Sequence, residues 1–296
     1  MINFVSRAQL DHPKYTACVK SAIGSRMYAE SWFLDAVCTS WGVLVYDDYL
    51  AVMPLPFKRK FGIPYIYLAP WIQQLGVFSP TAVSPELLNQ FIQAIPAKFR
   101  FVEMMINASN PITVRNCSKR LNYILPLHAP YETLYSAYSK GRKSSLKQAE
   151  RGGLSLQWSS SIPAFIRLFK QDVGQKLALK KEVYERLDKL IDVARAKELL
   201  HSIGVHDASG QLIGAALIIK DQQRWVYLCS ALTEAGRALQ AMTFLLDGFI
   251  REHANTQSVL DFEGSMVPGI AGFFKSFGAQ EEIYGHYKRV RWLGVR

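Results

Sequence analysis

Between Gly269 and Ala279 the chain reads GIAGFFKSFGA, a run in which Lys275 is the only charged residue and is flanked by Phe273, Phe274 and Phe277. A helix facing water carries several charges on its outer face, so a lone lysine here reads as a cation aimed at something. Core packing is the competing account of Phe274 and Phe277. Just upstream, SVLDFEG reads as a strand on which Asp261 and Glu263 alternate onto one face. A strand covered on both faces is normally apolar throughout, and a buried carboxylate is costly unless paired or used. Two accounts stay open: a structural Asp-Arg or Glu-Lys pair, or a carboxylate acting as a base or orienting an amine.

In KGRKSSLKQAER, Lys140, Lys143, Lys147 and Arg151 are spaced by three, four and four residues and share one face of a helix. Glu150 is the acidic residue nearby, so the face is either solvated or meets an anion. A second basic cluster, FKRKF with Lys58, Arg59 and Lys60, reads as a charged hairpin turn. TEAGRALQ, Thr233 to Gln240, falls between a strand and a helix, where backbone N–H groups can hold phosphates. Gly264 and Gly269 have P-loop spacing, but Ile270-Ala271 follow where Lys-Ser/Thr is required. With no GxSxG, no GxGxxG and no helical histidine pair, hydrolase, dehydrogenase and NTPase readings lack support.

The elements that position these residues occur twice. Trp41 to Pro70 and Ile203 to Leu232 each read as three strands joined by tight polar turns. Each is preceded by two helical stretches and followed by a helix and a strand, RFVEMMIN in the first half and SVLDFEG in the second. The repeated α-α-β-β-β-α-β order predicts two similar α/β domains, 1–129 and 130–296, each a mixed, mainly antiparallel sheet flanked by helices.

At 296 residues the chain is long enough for two medium domains. Its 49% of hydrophobic residues suffices for buried cores, and no window approaches a membrane-spanning run. The N-terminus lacks a secretory pattern and the four cysteines are scattered without metal spacing; both predict a cytoplasmic protein with free thiols and no metal. The net charge of +11 implies attraction to polyanions such as nucleotides, tRNA or an anionic membrane face.

The second half carries a resemblance. RKSSLKQAERG, Arg142 to Gly152, and FKSFG, Phe274 to Gly278, are similar to two elements of the FemAB-like, peptidoglycan-bridge aminoacyltransferase type within the GNAT N-acyltransferase superfamily. The chain departs from that family in two places: the stretch around Lys180 to Leu200 is too short for the long helical arm of tRNA-using members, and Glu30 stands where better-known members have an amide. The resemblance implies tandem GNAT-like domains and transfer of an aminoacyl or acyl group to an amine, on a cell-envelope precursor or another small molecule. The donor would be aminoacyl-tRNA or acyl-CoA, with no tightly bound cofactor. It further implies that Lys275, Phe274 and Glu263 serve catalysis, that Arg142, Lys143, Lys147, Tyr227 and Asp261 bind a phosphate-bearing substrate, and that Gly236, Arg237 and Ala238 hold donor phosphates. The alternative is a non-catalytic basic protein whose degenerate GNAT halves hold a nucleotide or nucleic acid.

Overall fold

The computed structural model describes residues 1–264 and 266–291. They form two compact units, one of residues 1–120, 185–193 and 283–291, the other of the described residues in 121–184 and 194–282. The contiguous division expected at 129/130 does not anticipate this. Strand pairing is not bound by sequence order, and the last strand of the chain completes the sheet of the first unit.

The first unit holds β1 (Ile2–Ser6), α1 (His12–Ser21), α2 (Ser31–Val37), β2 (Ser40–Tyr46), β3 (Ala51–Lys60), β4 (Ile63–Ile66), α3 (Pro85–Ala94) and β5 (Phe101–Ile106). β1 to β4 pair antiparallel in order, and β4 meets β5 in parallel. The helices start where the chain supplies a cap: Asp11 accepts from the Lys14 N–H, and Ser84 from the Leu87 N–H, each followed by proline in the first turn. Leu88, Phe91 and Ile92 of α3 pack on Leu44, Met53, Leu55 and Met104 of the sheet.

The rest of the chain runs β6 (Cys117–Pro126), α4 (Tyr131–Ser136), α5 (Lys140–Arg151), β7 (Ser155–Trp158), α6 (Ile162–Phe169), α7 (Gln175–Leu177), α8 (Lys181–Ala196), β8 (Leu200–His206), β9 (Leu212–Asp221), β10 (Arg224–Leu232), α9 (Glu234–Ala238), α10 (Ala241–His253), β11 (Val259–Asp261), α11 (Pro268–Lys275) and β12 (Gln280–Val290). Residues Gly285 to Val290 of β12 pair antiparallel with β5. In the second unit the sheet order is β6-β11-β10-β9-β8-β7. β10 and β11 are parallel and the neighbouring pairs antiparallel. Each unit thus holds a three-stranded meander that closes on one parallel pair, β4 with β5 and β10 with β11, while most of α8, one of the helices expected ahead of the second meander, belongs to the first unit. α10 buries Leu245, Leu246, Phe249 and Ile250 against this sheet.

Where α10 ends, Trp225 lies edge-on to His201 at 4.9 Å and to His253 at 4.5 Å, and His253 stacks on Phe249 at 4.1 Å. Burial lowers the pKa of both histidines; nearby Lys220 lowers both further, and His253 lowers that of His201. A base whose folded pKa lies below its unfolded value binds fewer protons when folded. Its contribution is complete above the unfolded value near 6.5 and is lost as pH falls through that value toward the folded one. Thermal melts should therefore show a lower Tm at about pH 5.5 than at about pH 7.5, and His201→Phe, which cannot titrate, should flatten that dependence.

Candidate active site

The parallel register of β10 and β11 covers only Arg224–Val226 against Val259–Asp261, yet β10 continues to Leu232. Past this point the partner is β9, and the register with β9 shifts between Tyr227 and Cys229, so Leu228 is an extra residue in a bulge. The backbone groups of a bulged residue are not consumed by the regular ladder. Three aromatic rings gather where β10 and β11 part. Phe262, the first residue after β11, stacks on Phe274 of α11 at 4.7 Å, and Tyr227 stands edge-on to both, at 6.5 and 6.3 Å. Burial raises the pKa of Tyr227, and its hydroxyl donates to Met242 Sδ at 3.0 Å. Tyr227 is thus a neutral wall group beside Phe274.

The two carboxylates have separate fates. Asp261 is fully buried. Its Oδ2 lies 2.5 Å from Arg224 Nη1, and its Oδ1 accepts from Asn122 Nδ2 and from the Glu263 N–H, each at 2.9 Å. Arg224 also reaches Glu282 at 3.0 Å, and Asn122 donates to Glu282 at 2.9 Å. Burial would lower the pKa of Arg224, but Asp261 and Glu282 outweigh it and raise it. Asp261 is therefore the structural ion pair and leaves no face for a substrate, which corrects its expected binding role. The shared face with Glu263 is also lost, because β11 ends at Asp261 and Glu263 takes a φ of +55°. That turn leaves the Glu263 side chain half-buried beside Cys229, whose thiol pKa is pushed up by burial and by the Glu263 charge.

The cation that the phenylalanines shelter is Arg142, not Lys275. Phe274 on α11 and Phe277, in the turn just past its end, are both buried, whereas residue 275 is turned about 100° away from residue 274. Lys275 accordingly keeps half its side chain exposed, pairs with Glu281 at 2.6 Å and lies over the Tyr123 ring at 5.6 Å. Its pKa is raised by Glu281. Arg142 is buried, with its guanidinium 4.2 Å from the Phe273 centroid and 4.7 Å from that of Phe277. Its Nε donates to Ser276 Oγ at 2.8 Å and its Nη1 to Thr243 Oγ1. Burial pulls its pKa down to about 10, and among the described residues no carboxylate pairs with it.

α5 divides the rest of the basic cluster. Arg142, Leu146 and Ala149 point inward, while Lys147 is exposed. Lys143 donates to the Ser136 carbonyl at 2.8 Å and lies over Tyr135. Arg142 and Lys147 therefore do not converge on one anion.

The expected phosphate loop is α9. Its Gly236 N–H donates to Thr233 Oγ1, and a Cβ on Gly236 would sit 2.1 Å from the Ile213 carbonyl. The glycine is needed for close packing on β9. Arg237 pairs with Asp172 and donates to the Leu232 carbonyl at 3.0 Å, and the Ala238 carbonyl accepts from Gln148. The Gly236 N–H and the Arg237 guanidinium, the donors expected to hold phosphates, are thus engaged within the protein.

Sequence reading missed Arg224, Asn122, Glu282, Thr243 and Ser276. A buried aspartate demands a cation, and Arg224, which opens an otherwise apolar strand, was the available signal. Thr243 and Ser276 carry none, since hydroxyl partners of a distant arginine follow from tertiary packing alone.

Comparison with solved structures gives the fold. The chain superposes on FemX with a TM-score of 0.66 at 13% identity, over 93% of this chain and 96% of that one. L-PGS from Bacillus licheniformis gives 0.52 at 12% identity, over 96% and 93%. A conserved protein of unknown function from Bacteroides thetaiotaomicron gives 0.56 at 10% identity, over 98% and 100%. No protein-family model and no curated protein sequence matches the chain. Its fold is that of FemX.

Because Asp261 and Glu282 share one arginine, removing that arginine leaves two buried carboxylates without their charge partner. Arg224→Met should cost roughly 3–5 kcal/mol in chemical denaturation. Neutralising both acids as well, with Asp261→Asn and Glu282→Gln, should recover much of the loss.

Proposed function

We propose that this chain is an N-acyltransferase that moves an aminoacyl or acyl group from an ester or thioester to an amine, with a cell-envelope precursor as a fitting acceptor. The observation that carries the reading is the parted β10/β11 pair with its bulge at Leu228, in a fold shared with FemX. Such an opening gives an acyl carbonyl access to a backbone N–H that no ladder uses. The attack of an amine on that carbonyl passes through a tetrahedral oxyanion, and catalysis needs positioning, a proton acceptor and oxyanion donors.

In this reading Glu263, at the end of β11, accepts the proton that the amine loses and returns it to the tRNA hydroxyl or CoA thiol, which leaves as the tetrahedral intermediate collapses and its bond to the acyl carbon breaks. The bulge N–H and Lys275 stabilise the negative charge, with Lys275 exchanging Glu281 for the reacting acyl group or its nearest phosphate. Phe274 closes the opening against water. The engaged donors of α9 favour an aminoacyl-tRNA over acyl-CoA, whose diphosphate would need them, and the net charge of +11 suits a polyanionic donor. Both donors are intracellular compounds, so the reading implies action in the cytoplasm. No helix among the described residues is long and apolar enough to cross a membrane.

The direct test supplies the protein with an aminoacyl-tRNA pool carrying labelled amino acids and, separately, with labelled acetyl-CoA, each with amine-bearing envelope precursors. Transfer of label supports the reading; its absence from both donors over a wide acceptor panel overturns it. Lys275→Met, at a half-exposed ion pair, should leave Tm almost unchanged and lower single-turnover transfer by ~100- to 1,000-fold. Glu263→Gln should lower transfer at neutral pH by ~100-fold or more, with part of the loss recovered as pH rises and the amine deprotonates unaided. Near-normal transfer in folded Lys275→Met would remove that lysine from the mechanism.

A further inference from the structure

The hairpin joining β3 to β4 has a feature that folding does not explain. Lys60 pairs with Ile63, leaving a two-residue loop of Phe61 and Gly62 whose φ values are +50° and +76°. Two positive φ angles define a type I′ turn, which matches the twist of paired strands and favours Asn-Gly or Gly-Gly. A bulky side chain in the left-handed region is uncommon and costs stability. Here the first position is phenylalanine and its ring is 93% exposed. The turn therefore accepts a strained aromatic residue and gains no burial from it.

The surroundings of the ring are apolar and basic together. Phe61, Ile63, Pro64, Tyr65 and Phe101 line an open hollow of about 490 Å³ with Lys60 and Arg100 at its edge. Tyr65 stands edge-on to Phe101 at 6.3 Å, and Ile63 and the nearby Val290 are each about half exposed. Lys60 Nζ lies 5.7 Å from the Phe61 centroid, and Arg59 Nη1 donates across the turn to the Gly62 carbonyl at 3.1 Å. From Ala51 to Val102 the chain holds one carboxylate, Glu86 on α3, against Lys58, Arg59, Lys60, Lys98 and Arg100. An apolar tip collared by cations of one sign is complementary to a surface that is anionic above and hydrocarbon below. A polyanion held through its phosphates alone would use the collar and leave Phe61 idle, and a base stacked on Phe61 would leave the neighbouring aliphatic Ile63 and Pro64 unused. An apolar protein groove would use the ring and leave the cations unanswered.

We propose that the β3/β4 hairpin docks on an anionic lipid bilayer, with Phe61 and Ile63 entering the interfacial region and Arg59, Lys60 and Arg100 meeting lipid phosphates. This docking surface is independent of the acyl-transfer chemistry and lies on the other compact unit.

Vesicles of phosphatidylglycerol mixed into phosphatidylcholine test it, with pure phosphatidylcholine as the comparison. The full-length protein should sediment with the anionic vesicles, weakly or not at all with the neutral ones, and less as salt rises. Phe61→Asn places a residue favoured by the turn in the strained position, so its Tm should equal or exceed that of the parent while vesicle affinity falls at least tenfold. Arg59→Gln with Lys60→Gln should weaken binding roughly 30-fold, about fivefold for each charge near an anionic surface. Phe61→Trp reports depth: on binding, its fluorescence should shift to the blue and be quenched by brominated acyl chains. No binding to anionic vesicles overturns the proposal, as does binding without a blue shift or quenching, which would mark the collar as a polyanion contact. Undiminished binding by well-folded Phe61→Asn would overturn it too.

Discussion

The second unit depends on one desolvated arginine. Arg224 holds Asp261 and Glu282 together, and Asn122 donates to both acids, so β6, the end of β11 and the start of β12 meet at a single charge. Taking three charged groups out of water is expensive, and it is tolerated only where geometry and further hydrogen bonds satisfy every group. That requirement makes the arrangement specific. A shift of β11 by one residue would move Asp261 to the opposite face and leave the arginine unanswered. The parting of β10 from β11, on which the proposed chemistry rests, begins one residue beyond Asp261 on β11 and three beyond Arg224 on β10.

Much of the fold was legible because it depends on local signals. The alternation and tight turns of Trp41 to Pro70 and Ile203 to Leu232 returned as β2 to β4 and β8 to β10, and Ser84 before Pro85 marked the start of α3. The unit boundaries were not legible in the same way. Nothing in the residues of β12 says that they pair with β5, since an alternating strand can join any edge whose hydrophobic face matches. The one helix expected after the second meander is two, because Gln240 takes a φ of +59° and separates α9 from α10.

The candidate site was legible by residue type more than by role. GFFKSF correctly marked a place where aromatic rings meet a cation, but helical rotation put Lys275 outside, and the buried partner came from α5 instead. Asp261 was flagged because a carboxylate in an apolar strand must be paired or used, and pairing proved to be the answer. TEAGRALQ reproduced the glycine of a phosphate loop for a different reason, the close approach of α9 to the Ile213 carbonyl. In each case the sequence marked a constrained residue, and the source of the constraint lay in a distant segment.

The pairing of β12 with β5 also shapes how the chain is made. Ile106 and Gly285 are register partners 179 positions apart. A ribosome adding ~5–20 residues per second exposes β5 on the order of ten to forty seconds before its partner strand is synthesised. Throughout that interval the β5 edge offers unpaired N–H and C=O groups to any other strand in reach. Of the two units, the first to begin is thus the last to have all its paired strands synthesised.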